Sequence, residues 1–389
     1  MAADGVRSEV GFIAPVEGLR GIAVLWVFVF HYVVLRDGMP DDPWIPLFGS
    51  APALEVVVRN GYLGVDLFFL ITGFLLTLPW FRHAEESRAP PSARDFYRRR
   101  ALRILPAYYV QLLLLFFVFL PLLHGWSFWK AHPAYTLDNF GAHLFLLHYT
   151  SPYTSASLGI NGALWTLSLE AQYYLLLPLL APLLVRWPFR VAASLGAAAL
   201  AWRWLALHDL EPLVRLEYSI GARWQVSEAT IRHLVGTQLP AYLAHFAAGI
   251  LAGRAWLRWR GRPAEGRAAL AWLALAIAAL GLLFRIHAPL GAILGEFTWF
   301  LIPVCLGAAM LALVSRDPPL ARPLLANRPL AFVGRISYST YLYHLPLLLV
   351  WNRFAPPLGW LSLPALLTLT LLAGWVSYRL VEQPFLRNK

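Results

Sequence analysis

The chain has 389 residues, of which 59% are hydrophobic and 14% are charged, and its formal net charge is +11. A typical soluble domain is about 25% charged, so this composition excludes a soluble enzyme and a disordered scaffold. The single cysteine, Cys305, excludes a secreted protein held by internal disulfides. The apolar residues fall in runs of about twenty, the length that crosses a hydrocarbon core of about 30 Å. These runs predict an all-α integral membrane protein.

Ten apolar runs are long enough to cross a bilayer as helices, and together they form one membrane domain over 1–389. They occupy 14–35, 62–81, 102–123, 165–185, 189–207, 238–257, 268–286, 297–315, 337–354 and 358–380. A shorter apolar piece at 139–149 is predicted to be a re-entrant element. The first run has no small-residue cleavage site and carries Glu17, Arg20 and His31, so it is predicted to be a retained helix rather than a signal peptide.

The distribution of basic residues predicts the orientation. If both termini are cytoplasmic and 139–149 returns to the side it entered, most of the 32 basic residues lie in cytoplasmic segments, as the positive-inside rule requires. A full crossing by 139–149 would instead move the basic loops 254–267 and 316–335 outside. The net charge is therefore explained by topology, and no nucleic-acid partner is expected.

The loops predicted to lie on the opposite side differ in composition. They are rich in Trp, Tyr, His, Asn and Ser, and they cover 36–60, 124–164 and 208–236. This composition suits stacking on sugars, and an aromatic belt at the membrane interface is an equal alternative.

Ionisable side chains inside the runs cost about 2.5–3.5 kcal/mol each on insertion scales, so each needs a reason. Arg20 and His31 are eleven residues apart, which places them on one face of a helix, about 16 Å apart along its axis. Asp66, near the start of the second run, is a candidate to orient His31 or to pair with an arginine. The structural alternatives are an Arg20 that extends to the lipid headgroups, a His31 in a helix–helix hydrogen bond and an Asp66 that caps its helix.

Four arginines, Arg98, Arg99, Arg100 and Arg103, occur within six residues at the start of the third run. Orientation alone does not require this density, and a guanidinium group donates paired hydrogen bonds to phosphate oxygens. Arg100 and Arg103 are one turn apart and face the same way. The cluster predicts binding of a cytoplasmic phosphorylated ligand, with anionic lipid headgroups as the alternative.

Later runs carry further polar groups. Glu170 lies about two turns into the fourth run, which opens with Trp165. In the ninth run Ser337, Tyr341 and His344 recur at i, i+4 and i+7 and so share one face. These three residues and Trp165 are candidates to contact substrate or to stabilise an oxyanion. No metal-ligand motif is present, so no metal site is expected.

Six stretches occur in the order EGLRGIAVL…H, GVDLFFLITGF, FYRRRALRILP, LWTLSLEAQYY, SYSTYLYHLP and VEQPF. Together they cover nearly the whole chain, and on them the chain resembles the acyltransferase-3 family of bacterial inner-membrane O-acyltransferases. Two positions depart from the family pattern, since Thr72-Gly73 replaces the commoner Ser-Gly and Ala171 replaces a second glutamate. Many members carry a C-terminal extracytoplasmic esterase-like domain; the sequence ends at Lys389, so a stand-alone form is expected.

The resemblance implies transfer of an acyl group, often acetyl, from cytoplasmic acyl-CoA to a hydroxyl of a surface glycan, a lipid-linked glycan or a secreted small molecule. It also implies that His31 and Arg20 are the essential residues of the first helix, and that Arg100 and Arg103 contact the CoA phosphates. The implied location is the bacterial inner membrane. Acyl-CoA is then a donor substrate, with no permanently bound cofactor, and a homo-oligomer is left open.

A sugar hydroxyl is a weak nucleophile, so its attack on a thioester needs a general base. We assign this role to His31, with Asp66 or Glu170 as candidates to orient it. The rival interpretation is a transporter or glycan-export subunit that uses these three residues as a proton relay. A transporter favours internal repeats and paired broken helices, and the sequence shows neither.

Overall fold

The computed structural model describes residues 13–39, 42–87, 89–208, 211–221, 227–259, 273–277, 279–280, 297–314 and 324–387. Within these residues the regular structure is helical and no strand occurs. A helix satisfies its own backbone N–H and C=O groups, which is the requirement that the hydrocarbon core imposes.

The α-helices bounded within the described residues are numbered here in chain order. They are α1 (Ala14–Arg36), α2 (Trp44–Ser50), α3 (Pro52–Arg59), α4 (Leu63–Glu86), α5 (Ala93–Leu114), α6 (Leu120–His124), α7 (Ser127–Ala131), α8 (Pro133–Leu144), α9 (Trp165–Arg186), α10 (Pro188–His208), α11 (Glu211–Gly221), α12 (Glu228–Gly236), α13 (Leu239–Trp259), α14 (Phe297–Val314), α15 (Arg328–Phe354), α16 (Ser362–Ser377) and α17 (Gln383–Arg387). π-Helical turns at Leu115–Phe119 and Tyr378–Glu382 join α5 to α6 and α16 to α17.

Six helical stretches in the described residues are both long and apolar enough to cross a membrane. They are Ala14–Arg36, Leu63–Glu86, Ala93–His124, Gly162–Arg186, Glu228–Trp259 and Gly359–Arg387. The protein is therefore an all-α, multi-pass membrane protein, as the composition predicts. Outward-facing side chains such as Leu179 and Leu372 are exposed, as lipid contact requires.

The count of ten spans stays a prediction. Helices α10, α14 and α15 coincide with the predicted spans 189–207, 297–315 and 337–354, although they do not meet the same length and apolarity criteria. In α15 the reason is a row of polar side chains that is buried inside the bundle. Most of the predicted span 268–286 lies outside the described residues, as do parts of the basic loops 254–267 and 316–335.

Two helices begin earlier than hydropathy predicts, because capping side chains start them. The Ser92 side chain accepts a hydrogen bond from the backbone N–H of Asp95, so α5 begins at Ala93 rather than near 102. The Asn327 side chain accepts from the Leu330 N–H in the same way at the start of α15. The arginine cluster of the third run therefore lies on a helix, with its side chains at fixed spacing.

The segment 139–149 forms the end of α8 and a 3₁₀ turn at His148–Thr150. Helix α8 has 12 residues, which is about 18 Å of helix and well short of the hydrocarbon core. Its length is consistent with a segment that does not cross the membrane.

Helix α4 lies at the centre of the bundle, between α1, α9 and α13. Its contact with α13 is close, because glycines remove side chains where the two backbones meet. A Cβ atom on Gly249 would lie 2.0 Å from the carbonyl oxygen of Leu70, and one on Gly73 would lie 2.4 Å from that of Phe246. Glycine contacts of this kind hold membrane helices together without a hydrophobic driving force.

Candidate active site

A cavity of about 140 Å³ lies between α1, α4, α5, α9 and α15. Its charged lining residues are Arg20, Arg100, Arg103 and Glu170, and its other walls are largely apolar. Three arginines from two helices and a single carboxylate thus line the cavity, and this excess of positive charge favours binding of an anion. We call it the arginine cavity.

The three arginines are held in different ways. Arg20 donates a hydrogen bond from Nη2 to Oγ of Ser337 at 3.1 Å, and its Nη1 lies 3.7 Å from Glu17. Arg103 pairs with Glu382 at 3.1 Å between Nη1 and Oε2. The Nε atom of Arg100 is buried and has no hydrogen-bond partner among the described residues.

The predicted arginine cluster is divided by the helix surface. Arg100 and Arg103 line the arginine cavity, whereas Arg98 and Arg99 do not. Arg98 is exposed on the other side of α5. The division follows from helical periodicity, since residues three apart share a face and neighbouring residues do not.

The two intramembrane carboxylates have partners other than His31. Glu170 accepts hydrogen bonds from Oγ1 of Thr72, at 3.1 Å, and from the hydroxyl of Tyr174, and it lines the arginine cavity. Asp66 lies 3.2 Å from Nε2 of His245. The structure therefore does not bring either candidate carboxylate into contact with His31.

His31 is instead held by its own helix and by α15. Its Nδ1 lies 3.0 Å from the carbonyl oxygen of Val27 and 3.3 Å from Nε2 of His344. Nδ1 of His344 in turn lies 2.6 Å from the carbonyl oxygen of Tyr341. His31 does not itself line the arginine cavity, but Tyr341 does, and the Tyr341 ring lies 5.2 Å from that of His344.

The polar face of α15 meets the site as the i, i+4, i+7 spacing predicts. Ser337 and Tyr341 line the arginine cavity, and His344 is fully buried beside His31. The Tyr341 hydroxyl donates to the carbonyl oxygen of Ala163 at 2.9 Å and accepts from Thr166 at 3.2 Å. The hydroxyl proton of Tyr341 is therefore already donated to a backbone carbonyl.

Two residues of the site were missed by sequence reasoning. Glu382, which is 1% exposed, pairs with Arg103 and accepts a hydrogen bond from Ser339. The sequence pointed to Glu382 only through a carboxylate in the VEQPF stretch, and this stretch was interpreted as an amphipathic break at the end of a helix. His245 is a single histidine inside an apolar run, a pattern that more often marks a helix–helix hydrogen bond.

A second cavity, of about 520 Å³, adjoins the first turn of α4. Asp66 and His245 line it, together with aromatic side chains that include Trp165, Tyr242 and Trp299. We call it the aromatic cavity. The ring of Phe69 lies 5.1 Å from that of Tyr242 and 6.0 Å from that of Trp165, and Phe69 also lines the arginine cavity. The two cavities are thus separated by one aromatic wall.

Among the described residues, no group of three or more His, Cys, Asp or Glu side chains is arranged to hold a metal ion. The fold and the site together define a class: a multi-pass helical membrane protein with a basic cavity, a neighbouring aromatic cavity and a histidine pair, His31 and His344, between α1 and α15. The family model of the acyltransferase domain of the acyltransferase-3 type matches residues 13–379, and the chain belongs to this family.

Curated relatives extend along most of the chain. The peptidoglycan O-acetyltransferase OatA of Listeria monocytogenes is 22% identical over 403 residues, which cover 97% of this chain and 56% of that protein. Nodulation protein 10 of Rhizobium leguminosarum bv. viciae is 27% identical over 94% of this chain and 90% of its own length. The chain thus spans little more than half of the Listeria relative. No solved structure gives a significant match.

Proposed function

We propose that this protein transfers an acyl group, acetyl in the simplest case, from cytoplasmic acyl-CoA to a hydroxyl of an envelope glycan at the bacterial inner membrane. The observation that carries the proposal is the convergence of Arg20, Arg100 and Arg103 on one cavity of a membrane acyltransferase. The Listeria relative is named as a peptidoglycan O-acetyltransferase, which supports acetyl as the transferred group and a glycan as the acceptor.

The arginine cavity is the proposed site of the CoA phosphates. A buried cation with an unpartnered N–H is unfavourable unless a ligand completes its hydrogen bonds, and Arg100 is in this situation. Arg103, held by Glu382, and Arg20, held by Ser337, present fixed guanidinium groups beside it. Phosphate oxygens accept the paired hydrogen bonds that such groups donate.

His31 is the proposed general base. Nε2 takes the proton of the acceptor hydroxyl while the hydroxyl oxygen attacks the thioester carbonyl. The tetrahedral intermediate then collapses, the carbon–sulfur bond breaks, and the departing CoA sulfur receives the proton from His31. One proton thus passes from the acceptor hydroxyl through His31 to the CoA sulfur, and the products are the acyl ester and free CoA.

The arginine cavity provides the sharpest test of the donor. Changing Arg100 to Gln should weaken acetyl-CoA binding by about tenfold or more, because a charge-assisted hydrogen bond contributes about 1.5–3 kcal/mol. Binding of acetyl-pantetheine, which lacks the nucleotide phosphates, should change little. The measurement is calorimetric titration of the purified full chain with each donor.

Arg98→Gln is the matched control, since Arg98 lies on the same helix but outside the cavity. It should leave both affinities unchanged. If Arg100→Gln and Arg98→Gln weaken binding equally, the effect is one of general surface charge. The arginine cavity is then not the phosphate site.

A further inference from the structure

The aromatic cavity contains a carboxylate–imidazole pair that the proposed chemistry of His31 does not use. Asp66 and His245 are 6% and 8% exposed, and Oδ1 of Asp66 lies 3.2 Å from Nε2 of His245. When Asp66 is ionised and His245 is neutral, Nε2 of His245 carries the ring proton and donates a hydrogen bond to the carboxylate. Nδ1 is then left as an acceptor.

That acceptor has no partner. Nδ1 of His245 is buried and makes no hydrogen bond to any described residue, and the side chain lines the aromatic cavity. Leaving a buried acceptor without a hydrogen-bond donor costs free energy. A ligand hydroxyl in the cavity would remove this cost by donating to Nδ1.

The walls of the cavity match a sugar ring. Trp165, Tyr242 and Trp299 provide flat apolar surfaces for the C–H faces of a pyranose. Asp66, His245 and Thr237 provide polar groups at the edges, where the hydroxyls of a pyranose lie. Its volume of about 520 Å³ lies within the ~300–1,000 Å³ of sites for drug-sized ligands, so the cavity admits more than one ring.

The position of the cavity suits an acceptor that arrives from the side opposite the donor. Trp165 opens α9, Tyr62 immediately precedes α4, and Thr237 lies between α12 and α13. These helix ends adjoin the loops predicted to lie outside the cytoplasm. Phe30, the neighbour of His31 in the chain, also lines the cavity, and its ring lies 5.1 Å from that of His31.

We infer that the aromatic cavity is the acceptor site for a saccharide of two or more rings, with His245, oriented by Asp66, accepting a hydrogen bond from one of its hydroxyls. The inference rests on the proposed function. It adds the binding site of the acceptor and a residue that selects for a hydroxylated ligand.

The test uses His245→Gln in the purified full chain, embedded in lipid nanodiscs. A glutamine amide still donates to Asp66 but offers no acceptor at the position of Nδ1. Tetra-N-acetylchitotetraose, a soluble N-acetylglucosamine tetramer, is the probe, and its binding is titrated with acyl-CoA absent. The wild type should bind it saturably, and His245→Gln should weaken binding about 3- to 10-fold, as expected for one lost hydrogen bond.

His208→Gln is the matched control, because His208 is exposed and, within the part of the chain that the structure describes, bonds to the carbonyl oxygen of Trp204 on its own helix. It should leave saccharide binding unchanged. Ala241→Phe, which fills the cavity without altering His245, should abolish saccharide binding and leave acetyl-CoA binding intact. This second variant provides a result if His245→Gln does not fold.

The outcomes separate this inference from the proposed function. If the wild type does not bind the tetramer, or if neither cavity variant changes its binding, the cavity is not the saccharide site. Acetyl-CoA binding and CoA release can still be intact in that case. If saccharide binding responds as expected but no CoA is released in the presence of an acceptor, the proposed acyl transfer fails while the saccharide site stands.

Discussion

The hydrogen bonds around His31 select one tautomer of its ring. The carbonyl oxygen of Val27 can only accept, so Nδ1 of His31 carries the proton. The same reasoning at Tyr341 places a proton on Nδ1 of His344 and leaves Nε2 of His344 as an acceptor toward His31. Nε2 of a neutral His31 therefore keeps its lone pair. Under the proposed function, a backbone carbonyl and a second imidazole would orient His31 as a carboxylate orients the histidine of a catalytic triad.

At the residue scale, we predict that His31→Ala lowers kcat by about 10²–10⁴-fold, the usual value of general-base catalysis. Acetyl-CoA binding should be nearly unchanged, because the base acts on the transition state. Steady-state release of CoA and calorimetric titration measure the two quantities. His344→Gln is the comparison, since the glutamine oxygen can still accept from Nδ1 of His31, and it should keep most of the activity. Activity above a tenth of wild type in His31→Ala would remove His31 as the base.

At the scale of the element, the site depends on how closely the helices pack. The contact of α4 with α13 brings Asp66 to His245, and it is possible because Gly249 lies against the backbone of Leu70. The contact of α1 with α15 brings His31 to His344 and Arg20 to Ser337. Each of these side-chain pairs is therefore a consequence of a helix pair.

Gly249→Ala tests this dependence. A Cβ atom there would lie 2.0 Å from a backbone oxygen, so α4 and α13 must separate. Overpacking of this kind typically costs about 1–3 kcal/mol. We expect a lower thermal unfolding midpoint in detergent and a loss of activity. Gly141→Ala is the matched control, because a Cβ atom on Gly141 meets nothing within 4 Å, and alanine favours the helix by up to about 1 kcal/mol. An equal fall in both variants would contradict the packing argument.

At the scale of the whole molecule, the aromatic cavity adjoins the start of α4 and the arginine cavity lies along the middle of α4, with Phe69 between them. Under the proposed function, a cytoplasmic donor would enter the arginine cavity and an external acceptor would enter the aromatic cavity. This arrangement requires the orientation that the positive-inside rule predicts.

Labelling of cysteines tests that orientation. In a background in which Cys305 is alanine, Ser50→Cys on α2 should react with a membrane-impermeant maleimide in intact cells. Ser87→Cys, after α4, should react only once the cells are permeabilised; both positions are exposed. The opposite pattern would place the arginine cavity outside the cytoplasm and would contradict cytoplasmic acyl-CoA as donor.

Much of the fold could be predicted from the sequence because a bilayer imposes simple rules. Apolar runs of about twenty residues locate the helices, and α1, α9 and α13 begin within a residue of their predicted starts. Starts set by a capping side chain were predicted less well, since Ser92 and Asn327 begin helices in polar sequence that hydropathy passes over. Periodicity also predicted the shared face of Arg100 and Arg103.

The sequence by itself determined the class of the protein, the position of most helices and most of the polar groups that are costly inside a membrane. The tertiary structure alone decided how those groups pair: His31 with His344, 313 residues away, Asp66 with His245, and Arg103 with Glu382. The physical reason is that helical periodicity specifies which residues share a face. Which other helix that face meets depends on the packing of the whole bundle.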